Sequence, residues 1–386
     1  MKKQILTLLF LLTLGGQVWG QNYSEFMGRV VAQSAQIHAL RATLSADSLG
    51  LRRGLNPLDP SLSVDYFMDG EQSFEFKVEQ NFDFPTLYHQ RNKLSRLSVE
   101  RSQAQFRADR FALLTTASDR YIAMAWAQRQ VALLQGRADE LEQMLALSTK
   151  SLSGGNTTAL EQSKIEMLLR ECKVSLVGQL SELSQAYKAL RQLGYPIDSS
   201  RIEVPTFTFS GSAQEFVQVA MACNNELEAL RVDSLVGVHR TRLARQEWIP
   251  QVVLGYRLNR DQGALRHGLV AGITLPLWGN RNNVRQAKAL SVASQATRQS
   301  REQQIQMSLE NLYQAYQSAQ QSLAQIDKMD IENYDQLLNK SFRAGQINAI
   351  DFLRERGDVF AMQQQRLSLG GALSQIEAMM ALLLWQ

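Results

Sequence analysis

The residues of this 386-residue chain whose types could do chemistry are few, and their spacing argues against catalysis. The four histidines, His38, His89, His239 and His267, are scattered, with no metal-ligand spacing among them. Cys172 and Cys223 lie in helix-like segments and read as buried free thiols rather than a disulfide. There is no H-E-x-x-H, no phosphate loop, no G-x-S-x-G and no usable G-x-G-x-x-G. The twelve methionines do not cluster and read as fillers of helix seams. The expected catalytic, cofactor-binding and metal residues are therefore none, and an exported enzyme is the weakest reading. Two acids stand out by position instead. Glu161 and Asp351 each follow a glycine break, Gly154-Gly155 and Gly345, and so fall near the N-terminal end of a helix. There the helix dipole favours a negative charge.

The elements that position these acids follow from composition and period. Seven prolines leave two proline-free blocks, residues 86–195 and 277–386, rich in good helix formers. With 41 Lys+Arg against 37 Asp+Glu, the chain has no concentrated basic face and no nucleic-acid partner is expected. Residues 1–20 read as a signal peptide: Lys2 and Lys3, an apolar run too short to span a bilayer, and Gly20 at the cleavage point. No other apolar run of about 20 residues appears, so no transmembrane helix is expected.

Sliding the sequence on itself by about 190 residues reveals a duplication. Ser151-Leu152-x-x-Gly155 falls on Ser341-Phe342-x-x-Gly345, Leu160-Glu161 on Ile350-Asp351, and Pro60 on Pro250. The first repeat, 21–195, reads as a helix (about 23–53), a hairpin (about 61–84), a long helix (86–152) and a helix (156–193). The second, 213–386, repeats the plan: a helix (213–247), a hairpin (about 251–277), a long helix (279–342) and a helix (346–384). Residues 196–212 form a link, irregular or β-containing. In the hairpins, Leu62, Val64 and Tyr66, then Phe74, Phe76 and Val78, alternate with polar residues. Val252, Leu254, Tyr256 and Leu258 do the same; after a loop at Asp261–His267, so do Leu269, Ala271, Ile273, Leu275 and Leu277. Such alternation suits a tilted membrane-barrel strand and equally a half-buried soluble sheet.

The helices decide between these. Ile305, Leu309, Leu312, Tyr316, Ala319, Leu323 and Ile326 repeat at heptad spacing, as do Leu134, Ala138, Leu141 and Leu145. Such seams pack against partner helices. Four strands cannot close a membrane barrel, whose smallest members have about eight. Several chains must then share one barrel, and a barrel continued by helices is a conduit. The predicted class is α+β: long coiled-coil-like helices with two hairpins giving four strands to a shared transmembrane barrel.

The duplicated plan, the strand exits Phe84-Pro85 and Leu275-Pro276, and the paired glycine turns resemble the TolC-like outer-membrane efflux channel family. The second turn, Phe342-x-x-Gly345 followed by Ile350-Asp351-Phe352-Leu353, is the most specific match to the family pattern. The resemblance implies a homotrimer in the outer membrane of a Gram-negative bacterium, with a periplasmic α-barrel and no cofactor. It also implies two protein partners, a periplasmic adaptor and an inner-membrane transporter. It further assigns Asp351 and Glu161 to a constricting periplasmic gate, with Arg354 close enough to pair with Asp351. Three departures stand against the family's closing network: Phe342 replaces a tyrosine, Ile347 stands where a gate arginine is common, and Arg354 sits where a second acid can occur. The turns, Gly154, Gly155 and Thr157 with Gly345, Gln346 and Ile347, are the expected adaptor contact. Phe84, Trp248 and Trp278 would anchor the barrel at headgroup level. The rival is a soluble periplasmic coiled-coil adaptor or scaffold.

Overall fold

The computed structural model describes residues 21–68, 73–153, 158–193, 202–261 and 264–385. The expected signal peptide and the turn residues Gly154, Gly155 and Thr157 lie outside the described residues. In chain order the elements are α1 (Gln21–Gln33), α2 (Ala35–Gly50), β1 (Ser61–Phe67), β2 (Ser73–Phe82), α3 (Pro85–Ser153) and α4 (Ala159–Arg191). The second half continues with α5 (Ala213–Cys223), α6 (Asn225–Gln246), β3 (Gln251–Asp261), β4 (Ala264–Thr274), α7 (Asn283–Asp327), α8 (Ile331–Arg343) and α9 (Ala349–Leu384). Mostly helical, with one hairpin in each half, it is the α+β arrangement expected. Pro85 opens the 69-residue α3, at the helix position where a missing N–H costs nothing.

Four elements differ from expectation. The helix expected over 279–342 is divided into α7 and α8. Asp330 adopts a left-handed backbone (φ 42°) and its carboxylate caps α8, accepting from Asn333 N at 3.3 Å. Aspartate tolerates that conformation better than most residues, so no glycine or proline marks the break. The helices expected over 23–53 and 213–247 are likewise divided, at Ser34 and Asn224. Asn224 Oδ1 accepts from Leu227 N at 3.0 Å and starts a new helix. Finally, β4 begins at Ala264 rather than 269, and Leu275 and Leu277 lie beyond its end. Pairing continues to Asp261↔Ala264, so residues expected in a loop have their backbone groups satisfied within the ladder.

The chain divides into two compact units. The first, residues 39–110 and 224–305, contains the sheet. Its order is β1-β2-β3-β4, all antiparallel, so the hairpins of the two repeats join through β2 and β3. At the strand exit Asp83 is buried. It accepts from Arg91 Nη1 at 2.5 Å and from Gln251 Nε2 at 2.8 Å, which fixes the path from β2 into α3.

The second unit, residues 21–38, 111–223 and 306–385, is helical. Tyr23, Phe26, Val30 and Ile37 pack on Tyr121, Ile122 and Met124 of α3. Tyr23 is buried and keeps its polar tip satisfied against Ser118 Oγ at 2.7 Å. Phe207, from the expected link, joins the same core, and residues 202–212 form no strand. The heptad seam is buried at Leu309, Tyr316, Ala319 and Ile326. On α9, Gly370 and Gly371 form a notch for Trp126. A Cβ at Gly370 would lie 2.5 Å from the indole, so no larger residue fits without moving it. Contrary to expectation, α9 is long and apolar enough to cross a membrane by composition alone. Its buried residues, among them Ser374, Ala378, Met380 and Leu383, make it a core helix of this unit.

Candidate functional site

The turn between α8 and α9 is built by one glycine and one asparagine. Gly345 has φ 69°. Gln346 N donates to Ser341 O and Gly345 N to Phe342 O, each at 3.0 Å, closing the reversal of a Schellman turn. Asn348 then caps α9. Its Oδ1 accepts from Asp351 N, and its Nδ2 donates to Asp351 Oδ2, both at 2.8 Å. The other oxygen, Oδ1, lies 3.9 Å from Arg354 Nη2. The Asp351–Arg354 pair is thus loose. Arg354 is nearer Glu355, at 3.1 Å, and Tyr334 Oη donates to the same Glu355 at 2.7 Å. Those two partners hold the Glu355 carboxyl below the usual carboxylate range.

The first repeat uses the same position differently. Thr158 Oγ1 accepts from Glu161 N at 3.2 Å, and Glu161 Oε2 accepts from Thr158 N at 3.1 Å, a reciprocal capping box. Glu161 and Asp351 therefore occupy equivalent third positions of α4 and α9. Ile165 and Leu353, which follow them, share a cluster with Leu141 and Leu169. That cluster brings the two acid-bearing helix starts to one end of the helical unit. Gln346 is exposed. Ile347 instead packs with Phe342 against Leu338, Phe352 and Val359, and the Phe342 and Phe352 rings stack at 4.2 Å. Where the resembled family favours a tyrosine and an arginine, this turn holds apolar packing.

Beneath the turn lies an ion cluster that sequence reasoning missed. Arg356 Nε donates to Glu140 Oε1 at 2.7 Å, and Arg356 Nη1 donates to Asp335. Arg137, only 7% exposed, donates to Glu140 Oε2 at 2.8 Å. Burial opposes the charge on Glu140, yet the hydrogen bonds from Arg356 and Arg137 outweigh it and hold the carboxyl below its usual range. One cluster thus joins α3, α8 and α9. Only the Arg137–Glu140 pair, three residues apart on one helix, had a local signal. Among the described residues no three His, Cys, Asp or Glu side chains converge to hold a metal ion.

The sheet is the second candidate surface. By register, Leu62, Val64 and Tyr66, with Phe74, Phe76, Val78 and Phe82, share one face with Val252, Leu254, Tyr256, Leu269 and Ile273. That face is the exposed one: Leu269 is 91% exposed, Ile273 70%, and Leu62 and Val64 66% each. The opposite face is the less exposed one in the middle of β2 and β4, where Glu75 is 9% exposed, although every residue of β1 is exposed. A water-soluble sheet is arranged the other way round.

Comparison with known proteins agrees with this geometry. Residues 217–384 match the outer membrane efflux protein family. No curated protein sequence matches the chain. Among solved structures, the outer membrane protein VceC of Vibrio cholerae is 14% identical, with 95% of this chain and 98% of that one covered and a TM-score of 0.79. The open state of the Neisseria gonorrhoeae MtrE outer membrane channel is 15% identical over 94% of this chain and 88% of that one, with a TM-score of 0.76. CusC, described in terms of transmembrane channel formation, is 15% identical over 96% and 92% of the two chains, with a TM-score of 0.76. These likenesses establish the fold, and residues 217–384 carry the sequence likeness to the outer membrane efflux protein family. By both, the chain resembles the TolC-like outer-membrane efflux proteins, in sequence over residues 217–384 and in fold over most of its length.

Proposed function

We propose that the chain is the outer-membrane conduit of a tripartite efflux or export system. It passes solutes delivered by an inner-membrane transporter and a periplasmic adaptor to the exterior of a Gram-negative cell, without chemistry of its own. The observation that carries this reading is the inverted sheet. An exposed apolar face suits lipid, an opposite polar face suits a water-filled lumen, and the outer edges of β1 and β4 pair with nothing among the described residues. Unpaired edges are not tolerated in hydrocarbon. Copies of the chain must therefore pool their strands. Three copies, the number usual in the family, give twelve strands from the four in each. A soluble scaffold would have no use for the exposed leucines and isoleucine of β4. Fractionation tests the reading. The full chain should require detergent for release from membranes and should form conducting pores in planar bilayers. Release with the soluble periplasm, and no conductance, would remove the channel.

The helix turns supply the periplasmic entrance. Asp351 and Glu161, at equivalent first-turn positions, form rings of carboxylates when copies assemble, and such rings select for cations. Asp351 is the stronger gate residue, because one of its oxygens is held only by the distant Arg354. Glu161 already has its capping bonds to satisfy. The exposed Gly345 and Gln346, with Gly154, Gly155 and Thr157 of the first turn, offer the adaptor contact. Ile347 supports that surface from beneath. Asp351→Ala should lower cation preference and change resting conductance in bilayers, while Glu161→Gln should act less on conductance than on helix stability. Unchanged conductance and selectivity in Asp351→Ala would take it out of the gate.

A further inference from the structure

The register of the sheet gathers charge at one level of its polar face. In one row Asp65, Glu75, Asn259 and Arg266 stand side by side across the four strands. The next polar row is Ser63, Lys77, Arg257 and Gly268, and the one after is Ser61, Glu79, Gly255 and Val270. Three consecutive rows thus hold three acids and three bases. Beyond them, toward the helices, the paired rows are uncharged, Asn81, Val253 and Gly272, then Gln251 and Thr274, with Asp83 following past the end of β2.

Four of these six charges form two pairs. Arg257 Nη2 donates to Glu75 across the seam where the two hairpins meet, and Lys77 Nζ lies 2.5 Å from Glu79 Oε1. Glu75 retains 12% side-chain exposure and Arg257 50%, so the base stands further into the open space than its acid. Gly255 and Gly268 put no side chains beside them, which leaves the long side chains of Lys77 and Arg257 as the protruding groups of these rows. Successive polar rows are two residues apart, about 6.8 Å along a strand. That is within the Debye length of about 8 Å at physiological salt, so a permeating ion meets both signs at once.

On the channel reading above, we propose that this belt, with Lys77 and Arg257 set against Glu75 and Glu79, fixes the ion preference of the membrane section of the pore. Its opposite charges balance, so the section passes ions of both signs, and removing one sign unmasks the other. The site is separate from the carboxylates of the helix turns and lies in a different unit of the chain.

Reversal potentials under a salt gradient test this. Lys77→Gln and Arg257→Gln should each raise the cation-to-anion permeability ratio several-fold, and Glu75→Gln should lower it. Assembly defects are avoided by charging the residue after insertion. Lys77→Cys, in a chain carrying Cys172→Ser and Cys223→Ser, is treated in the bilayer with a water-soluble cationic or anionic thiol reagent. The cationic reagent should restore the parent ratio and the anionic one should drive it several-fold toward cations. Val78→Cys, on the opposite face, should respond to neither. Failure of the Lys77→Cys thiol to react would show that the side chain does not face the lumen. Reaction confirmed by mass, with equal ratios for both reagents, would show that the belt does not select. Either result overturns the proposal while the conducting pore still stands. A parent chain that forms no pore at all overturns the channel reading instead.

Discussion

Leu269→Asp should abolish assembly of the protein in membranes, although Leu269 touches almost nothing within the chain. It is 91% exposed. In a soluble protein a substitution at such a surface position changes stability by no more than about 0.5 kcal/mol. In a lipid-facing strand the same carboxylate must enter hydrocarbon or hold a proton, at a cost of about 2 kcal/mol in each copy near the midplane. Every copy in the barrel carries the substitution, so the cost multiplies with the assembly. Phe76→Asp and Val78→Asp, on the same face, should behave alike. Lys77→Ser, one residue away on the polar face, should assemble normally. The measurement is the detergent-extracted oligomer in the membrane fraction, with helical content by circular dichroism as the control for folding. Equal assembly of Leu269→Asp and Lys77→Ser would contradict the membrane-facing assignment.

The contrast between faces was legible because a strand's period of two writes its environment directly into the sequence. Phe74, Phe76 and Val78, and later Leu254, Tyr256 and Ile273, needed only counting to be placed on one side. What the alternation did not reveal is which side meets water. Lipid and a protein core select the same residues, and only the exposures of Leu62, Leu269 and Ile273 separate them. Helix breaks were less visible. Asn224 and Asp330 break helices through side-chain caps, at Asp330 with a left-handed backbone, whereas Ser34 shows neither; no proline or glycine stands at any of the three. Asn224, just before an acid-rich first turn, carried a capping signal that could have been read. Asp330 sits within Lys328-Met329-Asp330-Ile331, where no local rule overrides the surrounding helix formers. The turn at Gly345 was legible because the left-handed conformation nearly requires glycine. The ion cluster below it was not. Glu140 and Arg356 are 216 residues apart, and nothing local distinguishes Arg356 from its neighbour Arg354.

That neighbour makes the most demanding comparison. Arg356→Leu should destabilise the helical unit at neutral pH, while Arg354→Leu should leave it nearly unchanged. Arg354 is 69% exposed, and its partner Glu355 keeps the hydroxyl of Tyr334 when it is lost. Exposed pairs of this kind contribute little. Arg356 is 18% exposed, and its two acids, Glu140 and Asp335, are 25% exposed each. Losing the base from a fully buried pair costs about 3–5 kcal/mol, and the residual solvent here reduces that to roughly 1–3 kcal/mol. Glu140 keeps Arg137, whereas Asp335 keeps only the side-chain amide of Asn339, at 3.4 Å. The loss should therefore fall mainly on α8, seen as faster proteolysis at Lys340 and Arg343 in the purified assembly. The pH dependence gives a second, independent reading. Glu140 is held below its usual range when folded, so its contribution is complete above the usual carboxylate values. It disappears as pH falls through the lowered folded value. The gap in thermal midpoint between the parent and Arg356→Leu should accordingly be widest near neutrality and close in acid. A gap that stays constant across that range would mean Arg356 acts through packing of its aliphatic stem, and the charge cluster would lose its role in holding the turn.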